Sequence, residues 1–310
     1  MMKYVLITSA RNEEKFIVGT IRSVVAQTHL PERWVIVDDG STDCTGAIIE
    51  RYLVSCPWIE LLRQANRADR SFAGKAHAVN AAFERVKHLQ FDVIGNLDAD
   101  VSFEPDYMAF VMEKFATDPE LGVAGTPFTE DGYDSTKDSF EGTNYVAGPC
   151  QLFRCGCFQQ IGGYVPNRAG GVDWIAVMTA RMRGWKVQSF SEKRFHHHRT
   201  MGTAERGVLS ALFSYGEKDY YLGGSPTWQL FRVAYRMTKK PVIFGGIALL
   251  FGYCTAAFQR LERPVSSELI RFHRREQMAK LRLILGALAR FRKMNKFWIG
   301  VTPEAQSFVK

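Results

Sequence analysis

Cysteine is scarce in this chain. Cys44, Cys56, Cys150, Cys155, Cys157 and Cys254 are too few and too scattered among 310 residues for a disulfide scaffold. A reducing compartment is the simpler expectation. No strand-like run is followed by G-x-G-x-x-G, which disfavours a dinucleotide oxidoreductase, and Asp69 stands where a Walker loop ending in Gly74-Lys75 needs its first glycine. Tyr4-Val5-Leu6-Ile7 meets Thr8-Ser9 and Arg11 at once, so the N-terminus is expected to be a buried strand and not a secretory signal. Pro241–Phe258 gives 18 residues without a charge, at the short edge of the roughly 20 that span a bilayer. Acidic residues thin out in the tail. From Phe231 onward there are 16 basic and 4 acidic residues, a net of +12; the preceding chain has 24 and 28, a net of −4. Hydrophobic residues at 46% and charged residues at 23% are globular values, so wholesale disorder is excluded.

What is present is an alternation of two periods. Strand-like runs at Tyr4–Ser9, Trp34–Val37, Ile59–Leu62, Phe91–Leu97 and Leu121–Thr126 are separated by helical patterns. The helices are expected from about Glu13 to Gln27, through Ala47–Leu53, over Gly74–Val86, and after Pro105, which suits a first turn. Such alternation predicts a mostly parallel α/β sheet flanked by helices. Ligands bind beyond the carboxyl ends of such strands. Three polar clusters, Thr8–Glu13, Asp38–Asp43 and Asp98–Asp100, fall at those ends. From Tyr133 to Gly171 the pattern is irregular and glycine-rich, as functional loops are. A helix over Asp173–Arg183, a strand over Lys186–Phe190 and the run His196-His197-His198-Arg199 follow.

Several residues in these clusters can carry chemistry. Alternate residues of an extended segment point the same way, so Asp98 and Asp100 can share a hard divalent cation such as magnesium or manganese; a plain solvated turn is the alternative. Asp39 is placed to accept hydrogen bonds from a base or ribose, while Asp43 is better suited to capping the next helix. Lys75 opens a helix where phosphate can bind, with a solvated lysine as the equal alternative. Asp173 begins a helix after a glycine loop. It suits a general base, or simply a charge favourable to the helix dipole. At most two of the three histidines face one site, where one could ligate a metal and Arg199 could meet phosphate. Cys155-Gly-Cys157 has the wrong spacing for a zinc knuckle. In the tail, the charge-free run and a basic helix over Ser266–Lys293, with Leu281, Ile284, Leu285 and Leu288 in one stripe, read as a membrane-surface anchor or as a helical hairpin packed on the body.

Taken in order, four motifs resemble those of the family 2 glycosyltransferases of the GT-A fold: Thr8-Ser9-Ala10-Arg11-Asn12-Glu13-Glu14, Val37-Asp38-Asp39-Gly40-Ser41-Thr42-Asp43, Gly74-Lys75-Ala76-His77-Ala78-Val79-Asn80 and Leu97-Asp98-Ala99-Asp100. Gly162-Gly163-Tyr164 and the Asp173 helix extend the likeness over about residues 3–200. The resemblance implies that Thr8, Ala10, Arg11 and Glu13 line the nucleotide pocket, that Asp39 contacts the base and that Lys75 lies near the nucleotide. It makes Asp98-Ala99-Asp100 the metal motif, with Asp100 the more direct ligand, and adds a histidine ligand at His197 or His198. Asp173 matches the catalytic base of inverting members, although Val172 stands where those members often carry Glu. Arg199 would help neutralise the leaving diphosphate.

The same likeness implies a donor that is a nucleoside-diphosphate sugar, with UDP favoured and GDP possible, and a glycan or lipid-linked acceptor. It implies a catalytic domain over residues 1–230, with a nucleotide-sugar half to about 127 and an acceptor half from about 128. A basic helical region over 231–310 would then contact an anionic membrane surface on the cytoplasmic side, in polysaccharide or glycolipid synthesis, with no nucleic acid as partner. The alternative reading is an inactive sugar-nucleotide-binding scaffold; intact Asp98, Asp100 and Asp173 argue against it.

Overall fold

A computed structural model describes residues 2–65, 72–130, 133–135, 142–167, 170–199 and 207–289. The chain divides into two compact units, Met1–Ser139 with Thr143–Arg199, and Phe140–Gly142 with Thr200–Lys310. In the first unit the elements run β1 (Tyr4–Ala10), α1 (Ile17–Val25), β2 (Arg33–Asp38), α2 (Thr45–Leu53), β3 (Ile59–Arg63), α3 (Phe72–Val86), β4 (Val93–Leu97), β5 (Val101–Ser102) and α4 (Tyr107–Thr117). They continue through β6 (Leu121–Gly125), β7 (Phe128–Glu130), β8 (Tyr133–Asp134), β9 (Cys150–Arg154), α5 (Cys155–Ile161), α6 (Val172–Met182), β10 (Lys186–Ser189) and β11 (Phe195–His197).

Seven strands form one sheet in the order β10-β6-β9-β4-β1-β2-β3, parallel except for β9. Both faces of this sheet are buried, which is why its strands are near-continuous apolar runs. Along β1 and β2, Tyr4, Leu6, Trp34 and Ile36 enter one core with α1 and α4, while Val5, Ile7, Val35 and Val37 enter the other with α3 and α6. The mainly parallel α/β expectation is met.

Three details differ from the sequence pattern. Helix α1 starts at Ile17, four residues later than expected, because the Glu13 and Glu14 amides donate to Thr45 Oγ1 (2.8 Å) and Asp43 Oδ2 (3.1 Å) instead of entering a helix. The glycine-rich stretch contains β9, the antiparallel strand of the seven-stranded sheet, inserted between β4 and β6. A second sheet of four two- or three-residue strands, β5-β11-β7-β8, is too short for any periodicity to reveal.

The second unit holds α7 (Val208–Tyr221), α8 (Pro226–Met237), α9 (Phe244–Phe258) and α10 (Ser267–Ala289). Leu281 and Ile284 of α10 pack against Trp228 of α8, whereas Leu285 is exposed. The Leu288 side chain and everything from 290 onward, including the expected helix end at Lys293, lie outside the described residues. Among those residues no helix is long and apolar enough to cross a membrane. Helices α7 and α9 approach backbone to backbone through glycine. A Cβ on Gly252 would lie 2.0 Å from the Phe213 carbonyl oxygen, and one on Gly216 would lie 2.1 Å from that of Leu249. A Gly252→Ala variant is therefore expected to lose about 1–3 kcal/mol of stability by overpacking, read as a lowered melting temperature.

Candidate active site

The site is assembled where β4 ends. Asp98 follows Leu97 directly, and its amide donates to the Pro149 carbonyl at 2.8 Å, which fixes the turn into β5. Strand β11 then lies between β5 and β7: His197 is level with Val101, and His196 with Thr129. Because side chains alternate along a strand, His197 points one way and its neighbours the other. His197 Nε2 is 3.5 Å from Asp100 Oδ1, and its Nδ1 is 2.8 Å from Glu130 Oε1. Asp100, His197 and Glu130 are all buried. Asp98, Asp100 and His197 each offer a ligand atom, all within 4.8 Å of one another.

His198 is not in that group. Its Nε2 is 2.9 Å from Ser102 Oγ, and its ring stacks on Phe16 at 6.3 Å. The third histidine, His196, lies beside it, with ring centroids 4.6 Å apart. The register of β11, which no single-sequence pattern reveals, thus separates His197 from His198.

Two cations close the cluster. Lys75, the fourth residue of α3, pairs with Asp98, and Arg199 bridges Glu13 and Asp100, its Nε 3.3 Å from Asp100 Oδ2. Arg199 also lies over the Phe16 ring at 5.4 Å. The electrostatics follow from burial set against pairing. Burial opposes the charge of Asp100, but the His197 hydrogen bond and the charges of His197 and Arg199 outweigh it and hold the carboxyl below its usual range. Burial likewise opposes a charged His197, yet Asp100 and Glu130 raise it. Burial raises Asp98, with Lys75 pulling the other way. Desolvation weakens the charged form of Lys75, and Asp98, Asp173 and Asp100 more than restore it.

Asp173 is the second residue of α6, and Gly171, at φ 79°, is its N-cap. The Tyr145 hydroxyl donates to Asp173 Oδ2 at 3.3 Å. The carboxylate rests against Gly148, where a Cβ would stand 2.4 Å from Oδ2 and 2.9 Å from Cγ. Gly148→Ala must therefore displace the carboxylate. With Asp173 as the reacting group, an ångström-scale misplacement of its carboxylate is expected to cost about 10²-fold in rate. We expect turnover to fall by that order while the melting temperature barely moves, since the displaced atoms end a short side chain.

The other sequence candidates are placed as follows. Arg11, partly exposed, and buried Asp39 stand at the carboxyl ends of β1 and β2, where the Asp39 amide donates to Ala10 O at 2.9 Å. Asn12, at φ 56°, ties the two ends together by accepting from the Thr42 amide (2.8 Å) while its own amide donates to Ser41 Oγ (3.1 Å). Asp43 accepts from the amides of Thr45 (2.9 Å) and Glu14 (3.1 Å), hydrogen bonds that outweigh desolvation and lower its pKa. Thr8 and Ala10 are fully buried, and Thr8 Oγ1 accepts from the Trp34 indole at 3.0 Å. Sequence reasoning missed Glu130, Tyr145 and Gly148. Only the spacing of Phe128 and Glu130, one strand period like that of Phe195 and His197, carried any signal for the first.

The donor set fits a divalent cation: two carboxylates and an imidazole whose second nitrogen faces a buried carboxylate, the usual support of a metal-ligating histidine. The mainly parallel sheet with this cluster at the end of β4 has the arrangement of a GT-A fold. Solved structures agree. A mannosyltransferase from Pyrobaculum calidifontis, in complex with GDP-Man and Mn2+, matches 99% of this chain and 78% of its own, with a TM-score of 0.55 at 18% identity. TarS residues 1–349 from Staphylococcus aureus, in complex with UDP-GlcNAc, match 100% of this chain and 93% of theirs, with a TM-score of 0.55 at 16% identity.

The sequence profile of glycosyl transferase family 2 matches residues 5–161, half of the chain, and the chain belongs to that family. Among curated relatives, the poly-beta-1,6-N-acetyl-D-glucosamine synthase of Staphylococcus aureus is 32% identical over 117 residues, 37% of this chain. The matched stretch spans 26% of that relative's length.

Proposed function

We propose that the protein is an inverting, metal-dependent hexosyltransferase. It moves a sugar from a nucleoside-diphosphate sugar to a hydroxyl of a glycan or lipid-linked acceptor in cell-surface polysaccharide or glycolipid synthesis, at the cytoplasmic face of a membrane. The observation that carries this reading is the convergence of Asp98, Asp100 and His197 at the end of β4, in a chain of this family. The named ligands of the neighbouring structures, GDP-Man with Mn2+ and UDP-GlcNAc, support the donor class. The named product of the Staphylococcus relative supports a polysaccharide or glycolipid role.

In this reading Asp100, Asp98 and His197 would hold a manganese or magnesium ion. That cation would neutralise charge developing on the departing nucleoside diphosphate. Arg11, Glu13 and Asp39, with Thr8 and Ala10 behind them, form the nucleotide end, and Asp39 is the residue assigned to the base. Lys75 and Arg199 supply positive charge beside the diphosphate. Asp173 takes the proton from the acceptor hydroxyl. The acceptor oxygen bonds to the anomeric carbon as the bond to the diphosphate oxygen breaks, and that electron pair leaves with the diphosphate. Attack opposite the leaving group inverts the anomeric centre.

The test is a panel of UDP, GDP, CDP and dTDP, each with and without manganese, read by thermal melting. One nucleotide, UDP first, is expected to raise the melting temperature only with the metal. A folded sample that no nucleotide stabilises would remove the transferase reading.

A further inference from the structure

Helix α9 is built inside out for a helix in water. The face it turns to α7 and α8 carries Gly245, Gly246, Leu249, Gly252 and Ala256, mostly residues with little or no side chain. Most of its bulky apolar residues stand away from that face, although the Phe251 ring also meets Phe213 of α7 at 5.9 Å. Ile247, Phe251 and Phe258, with Ile243 just ahead of the helix, follow helical spacing and are all exposed, Phe251 at 65% and Phe258 at 91%. A helix that meets water on its outer side places large apolar groups inward and polar groups outward. Here the close approach of glycine backbones makes the packing, as it does where the surroundings are as apolar as the side chains.

Charge frames this face. Between Asp219 and Glu262 there is no acidic residue, while Arg232, Arg236, Lys239, Lys240 and Arg260 fall in that stretch. Lys239 and Lys240 lie just before the apolar face and Arg260 just after it, and all three are exposed. Fifteen helical residues extend about 22 Å, short of the roughly 30 Å hydrocarbon core of a bilayer. The helix therefore suits lying in a membrane interface and not crossing it.

We propose that the outer face of α9 is a docking surface for an anionic lipid bilayer. Ile243, Ile247, Phe251 and Phe258 enter the acyl boundary, and Lys239, Lys240 and Arg260 meet acidic headgroups. This deepens the reading of work at a membrane surface, and it is measured apart from sugar transfer.

The full chain is sedimented with vesicles of phosphatidylcholine alone or mixed with phosphatidylglycerol. The wild type is expected to pellet with the mixed vesicles and far less with phosphatidylcholine. Phe251→Ser with Phe258→Ser is expected to weaken that binding about tenfold or more, and Phe258→Ser alone, at a residue 91% exposed, is expected to weaken it at an unchanged melting temperature. Lys239→Gln, Lys240→Gln and Arg260→Gln together are expected to abolish the preference for phosphatidylglycerol and its sensitivity to salt. Nucleotide stabilisation should be unchanged in every variant, so failure of the transferase reading is seen separately. The proposal is overturned if the wild type stays in the supernatant with mixed vesicles, or if it binds both vesicle types equally. It is also overturned if the phenylalanine pair changes only the oligomeric state in vesicle-free solution, which would assign the face to a second copy of the chain.

Discussion

Asp173→Asn should bind the donor as the wild type does and turn it over about 10²–10⁴-fold more slowly, the range a positioned general base contributes. Asparagine keeps the shape of the side chain, and its amide oxygen can still accept the Tyr145 hydroxyl that now donates to Oδ2 at 3.3 Å. It cannot take a proton. The start of α6 stays capped by Gly171, so the melting temperature should change little. The separation of effects is what matters. The KM for the donor and the metal-dependent shift with nucleotide should remain, because Asp173 contributes to that end only a charge sensed by Lys75. Steady-state rates with donor held in excess give the test. Unchanged turnover in a folded Asp173→Asn sample would remove the base assignment.

The second large effect is expected at Asp100. Asp100→Asn should abolish metal-dependent stabilisation by nucleoside diphosphate. In the wild type, a nucleotide supplied at a hundred times its dissociation constant adds about 2.7 kcal/mol. In the variant the manganese-dependent part of that shift should vanish. Asp100 holds three groups in place: its backbone carbonyl accepts the His198 amide at 2.8 Å, and its carboxylate faces His197 and Arg199. Asparagine retains the backbone bond and the volume. Arg199 keeps its pairing with Glu13. What is lost is one ligand charge at the centre of the cluster. A full manganese-dependent shift in the Asp100→Asn protein would show that the cation, if bound, is held elsewhere.

Much of the first unit was legible in the sequence, for a physical reason. Strands of a sheet buried on both faces are near-continuous apolar runs, so β1, β2, β4 and β6 stand out against the 3.6-residue pattern of their helices. The polar residues at their carboxyl ends stand out for the same reason. The second sheet was hidden because strands of two or three residues complete no period. Strand β9 was hidden among glycines and runs into α5 without a turn. These two features carry the information the site needed. The pairing of β11 with β5 and β7 puts His197 beside Asp100 and His198 beside Ser102 and brings Glu130 to the His197 Nδ1, and both pairings join segments far apart in the chain. In the second unit the charge-free run was visible as a helix, but which of its faces meets α7 depends on packing through Gly216 and Gly252.

Pulsed electron paramagnetic resonance of bound manganese reads directly whether Asp98, Asp100 and His197 hold a cation. With manganese and UDP added to the full chain, the spectrum should show coupling to one imidazole nitrogen. That coupling should disappear in His197→Ala and persist in His198→Ala. Absence of nitrogen coupling in the wild type, or its loss only when His198 is replaced, would contradict the account.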